Sequence, residues 1–73
     1  MAVHPLTEQE ISDIRIQLHE LQVEHHDLDQ VILHLIENPP PDDLLIRRLK
    51  KRKLALKDRI LQLELMLTPD IPA

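Results

Sequence analysis

The 73-residue chain contains no cysteine, no glycine and no phenylalanine, tyrosine or tryptophan. Without cysteine no disulfide can reinforce the thin core of so short a chain, and a reducing, intracellular setting is expected. Without glycine there is little provision for tight hairpin turns, and without aromatics the common strand formers are missing. Both absences weigh against a β fold. No apolar run approaches the roughly 18 residues of a membrane span. The N-terminus, from Met1 to Glu8, has neither a basic region nor an apolar stretch, so no secretory signal is read there and a cytoplasmic protein is expected.

Leu, Ile, Glu, Lys and Arg fill the chain instead, the usage of long helices and coiled coils. Their spacing carries the architecture. One series runs Ile11, Ile14, Leu18, Leu21, His25, Leu28, Ile32, Leu35; a second runs Ile46, Leu49, Lys53, Leu56, Ile60, Leu63, Leu67. Alternating steps of three and four keep one stripe of a helix facing a partner helix. The spacing predicts an all-α protein of one domain: helix 1 over about 7–37, a proline turn at 38–41, helix 2 over about 42–67 and a tail at 68–73.

The boundaries have local causes. Thr7 and Glu10 form a capping-box signature, Leu6 is placed to staple onto Ile11, and Glu8 and Glu10 suit the positive end of the helix dipole. Asn38-Pro39-Pro40-Pro41 stops the first helix, because proline lacks an amide hydrogen and disfavours helical geometry in the residue before it. The second helix is expected to open with Asp42 as cap, or with Pro41 at its first position and both Asp42 and Asp43 in the first turn. Pro69 ends it, and Asp70 to Ala73 are expected to fray.

A connection this short makes the helices antiparallel neighbours in a coiled-coil-like hairpin. Charge agrees. Between Thr7 and Glu37 eight acids against one arginine leave −7, whereas between Asp42 and Thr68 eight bases against four acids leave +4. Each helix repels itself, Glu20 and Glu24 on the first, Arg47 with Lys50 and Lys51 on the second, and pairing relieves both. Folding about the prolines sets Ile32 against Leu49, Leu28 against Lys53, His25 against Leu56, Leu21 against Ile60 and Leu18 against Leu63. Flanking positions then offer Asp29 to Lys50, Arg15 to Glu64 and Glu24 to Arg59.

Apolar residues also lie off the seam: Ile16, Val23, Val31, Leu33 and Ile36 on the first helix, and Leu44, Leu45, Leu54, Leu61 and Leu65 on the second. A lone hairpin would leave them in water, and a row of them marks an interaction surface. Self-association is therefore expected, most simply two hairpins forming a four-helix bundle, with Ile16, Val23, Leu33, Leu54, Leu61 and Leu65 as the contact residues. The competing reading is that Lys and Arg stems shield them.

Two segments carry a family resemblance. Glu24-His25-His26-Asp27-Leu28-Asp29-Gln30-Val31-Ile32 and Leu49-Lys50-Lys51-Arg52-Lys53-Leu54-Ala55-Leu56-Lys57-Asp58-Arg59-Ile60, with the Pro41-Asp42-Asp43-Leu44 start of the second helix, resemble the YdcH-like family of small bacterial proteins, a domain of unknown function. The likeness covers roughly Ile14 to Glu64. It implies a bacterial helical hairpin, often self-associating, and it implies no activity. The chain departs from the family pattern at His26, where a basic residue is usual, and in its proline-rich turn.

Little in the sequence suggests chemistry. His25 and Lys53 are the polar residues of the two seams, and one polar seam residue commonly fixes register or partner number. Lys53 has Glu24 or Asp29 as its expected carboxylate. A seam histidine held neutral is also a candidate pH-sensitive position. His19, His25, His26 and His34 include no pair three or four residues apart, so no metal site and no cofactor is expected. Ser12, the single serine, has no base at helical spacing, and the protein is read as non-enzymatic.

The basic run of helix 2 leaves Arg47, Arg48, Lys51 and Arg52 available for phosphates. Against a nucleic-acid partner stand the net charge of −4, the adjacent acidic helix and the lack of stacking aromatics. Against a membrane surface stands the need to open the hairpin. The leading expectation is a self-associating module, a dimer in its simplest form, acting on itself or on another protein. A weak, salt-sensitive nucleic-acid binder is the alternative.

Overall fold

A computed structural model of the protein describes residues 5–68. It contains two helices, α1 (Glu8–Glu37) and α2 (Leu44–Leu67), packed along each other as a hairpin. The expected fraying at 70–73 lies outside the described residues.

The first helix begins as its sequence dictates. Thr7 holds an extended backbone, its hydroxyl accepts from the Glu10 amide at 3.1 Å, and the Glu10 carboxylate accepts from the Thr7 amide at 3.0 Å. Two of the first-turn amides that a helix leaves unpaired are thus engaged reciprocally. Both helices end alike. Asn38 donates its amide and its Nδ2 to the His34 carbonyl, and Thr68 donates its amide and its Oγ1 to the Glu64 carbonyl.

At the start of α2 the structure decides between the two openings the sequence allowed. The helix runs from Leu44, and Asp43 at its cap position already holds αR backbone and accepts the Arg47 amide at its carbonyl. Pro41 is outside the helix, and neither aspartate lies in its first turn. The Asp42 side chain accepts from the Leu44 amide at 2.9 Å. This is the contact a capping carboxylate makes to a first-turn amide, so the opening with Asp42 as cap is the one the structure takes. Asp43 makes no side-chain cap of its own.

Burial follows the seam. Ile14, Ile32, Leu56 and Leu63 are buried, and the other seam positions, from Ile11 to Leu35 and from Ile46 to Leu67, are half-buried. His25 and Lys53 sit among them. The core is therefore a single stripe, and the molecule is a rod measuring 53 × 25 × 19 Å. Its radius of gyration is 16.6 Å, against about 11 Å for a compact chain of this length.

Candidate interaction face

The two long flanks of the hairpin differ. One flank carries the ion pair between Arg52 and Glu24, 3.0 Å apart and exposed to solvent. Val31 lies one heptad beyond Glu24 and Met66 two heptads beyond Arg52, so both apolar side chains share that flank and both are exposed.

The opposite flank is grooved. A cleft of about 400 Å³ near the turn is lined by Ile32, Leu33, Ile36 and Leu54 with Lys50 and Lys57 at its edge. A second cleft of about 310 Å³ is lined by Gln22, Ile60, Leu61 and Glu64. His25 and Lys57 belong to both, so the clefts form one apolar trough along the hairpin.

Polar seam residues form the trough's floor. Lys53 donates to Oδ1 of Asp29 across the two helices. That hydrogen bond holds the Asp29 carboxyl below the ordinary aspartate range against its partial desolvation, and the charges of Lys53, His25 and His26 add to the effect. His25 Nε2, by contrast, is buried and has no hydrogen-bond partner.

Three expected ion pairs rearrange. Lys53 takes Asp29, one of the two carboxylates expected for it, and Asp29 is thereby not paired with Lys50, because Lys53 faces α1 from within the seam and its ammonium must leave the apolar stripe for a carboxylate. Glu24 takes Arg52 and not Arg59, whose guanidinium instead donates to Gln62 on its own helix at 3.2 Å. No Arg15–Glu64 pair forms among the described residues. Arg52 is thus engaged, whereas Arg47, Arg48 and Lys51 are exposed and form no ion pair among the described residues.

All six expected contact residues, Ile16, Val23, Leu33, Leu54, Leu61 and Leu65, are exposed. The structure divides them. Leu33, Leu54 and Leu61 line the trough, whereas Ile16, Val23 and Leu65 line neither cleft. Met66 is an exposed apolar residue that the sequence reading passed over. Its signal was a heptad position shared with Leu45, also exposed, obscured because Met66 adjoins seam residue Leu67.

Neither a curated protein nor a solved structure matches the chain. A family model does, over residues 18–64, described as a protein of unknown function (DUF465). The matched span includes His25, Asp29, Lys53 and the whole trough, and the family contains the YdcH-like small helical proteins whose motifs the sequence resembles. With more than half of its length matched, the chain belongs to the DUF465 family.

Proposed function

We infer that the hairpin is a bacterial, cytoplasmic and non-enzymatic interaction module that self-associates and acts through protein contacts. The observation that carries this reading is the imbalance of apolar side chains among the described residues: eleven large ones are exposed and four are buried. The accessible surface is 6299 Å², whereas a compact monomer of 8.6 kDa exposes about 4700 Å². The excess, roughly 1600 Å² for each chain, is about twice the 800 Å² that one partner contributes to a standard protein–protein interface.

Sedimentation of the wild-type protein across micromolar concentrations tests it. The expected result is a dimer that dissociates on dilution and is lost on Leu54→Glu or Leu61→Glu with helicity retained. A stable monomer at high micromolar concentration would overturn the reading.

The exposed Arg47, Arg48 and Lys51 favour a second reading, weak nucleic-acid binding. Its signature is affinity that falls steeply with salt and disappears when those three residues become Gln.

A further inference from the structure

The trough flank of α2 presents Lys50, Leu54, Lys57, Leu61 and Glu64, spaced four, three, four and three residues apart on one stripe. The order is self-complementary. Turned end for end about Lys57, the stripe sets each leucine opposite a leucine and the basic end opposite the acidic end, within one residue of register. Lys50, Lys57 and the Glu64 carboxylate form no ion pair among the described residues, which leaves each to a partner. The other flank has no such order, and its Glu24 and Arg52 are already paired.

We propose that the trough flank is the contact between two copies of this chain, related by a two-fold axis through Lys57, with the α2 helices antiparallel. Leu54 then meets Leu61 of the partner subunit, and Lys50 meets Glu64 of the partner subunit. A two-fold contact is reciprocal, so both pairs occur twice and every substitution acts twice. The turn of one hairpin lies at the open end of the other. Lys57 meets Lys57 of the partner subunit on the axis, a like-charge contact that limits the affinity and that the long stems relax by bending toward solvent. The inference rests on the self-association reading and adds to it a face, a direction and a register.

A charge swap tests it, read by sedimentation equilibrium at low salt, with circular dichroism confirming helicity. Lys50→Glu and Glu64→Lys each turn two attractive contacts into two repulsive ones and are expected to weaken the dimer about tenfold. The double variant Lys50→Glu/Glu64→Lys rebuilds both pairs with their signs exchanged and is expected to return to near wild-type affinity. Lys57→Gln is expected to tighten the dimer, and Val31→Glu on the opposite flank is expected to leave it unchanged. A wild-type dimer in which the single reversals change nothing, or in which the double variant is as weak as the singles, would overturn this register and leave self-association standing. A wild-type monomer would overturn both.

Discussion

Lys53 and Asp29 are joined across the hairpin, the ammonium of the basic helix's seam donating to Oδ1 of an acidic-helix carboxylate. The half-buried Lys53 keeps its stem at the seam while its charge leaves the apolar stripe for Asp29. The same contact makes the carboxylate easier to ionise in the folded protein than in the unfolded chain.

That asymmetry predicts a pH dependence. A carboxylate with a depressed folded pKa contributes stability above its unfolded value, about 3.9, and loses it as pH falls through the lower folded value. Thermal melts between about pH 2 and pH 6 are expected to show a steeper acid loss for wild type than for Asp29→Asn, which cannot titrate. Equal slopes would contradict the assignment.

The unpartnered His25 Nε2 predicts the opposite effect from a mutation. A buried polar atom without a partner costs about 1–3 kcal/mol, and leucine at this seam position removes it. His25→Leu is expected to stabilise the hairpin by about 1 kcal/mol, a rise of about 4–8 °C in Tm for a domain of this size. An unchanged or lower Tm would show that the imidazole is satisfied in solution.

The capping box makes a local prediction. Thr7→Ala removes the acceptor for the Glu10 amide and is expected to cost about 1 kcal/mol. Hydrogen exchange is the informative measurement: protection should fall over the first turn of α1 and hold at Ile32 and Leu56. Loss of protection along the whole helix would mean that the cap governs the fold rather than its end.

Neighbouring leucines on α2 separate folding from association. Leu63 is 1% exposed and Leu61 is 56% exposed. Leu63→Ala removes a side chain from a stripe with only four buried members, and a loss of about 2–5 kcal/mol is expected to leave the chain largely unfolded in dilute solution. Leu61→Ala is expected to shift the melting curve of the dilute monomer little and to act on the sedimentation profile instead. Equal melting losses would show that the seam and its trough flank are not distinct.

How far the residues alone lead differs from feature to feature. The seam was legible because a three-four rhythm has one structural solution when an acidic and a basic helix are separated by three prolines, and every position in it is buried or half-buried. The off-seam leucines were legible for the same reason, since whatever the seam excludes faces outward. Ion-pair partners were legible only in part, since Lys53 takes Asp29, one of its two expected carboxylates, while the three flanking pairs do not form. Asp29 had Lys50 and Lys53 within reach, Glu24 had Arg52 and Arg59, and a one-dimensional register places such candidates within a turn of each other. Side-chain length and the direction of each Cα–Cβ bond made the choice. The start of α2 was legible only as a choice between two openings, and the Asp42 carboxylate, by taking the Leu44 amide, settled it in favour of the cap.

Sequence by itself determined two helices, their charge, the stop at Asn38 and the stripe that joins them, because periodicity, capping and proline chemistry are local and need no partner. Only the tertiary structure decided which flank is grooved, that Arg52 is engaged while Lys50 and Lys57 form no ion pair among the described residues, and that His25 Nε2 has no hydrogen-bond partner there. These depend on the offset and rotation of one helix against the other, set by packing between residues distant along the chain.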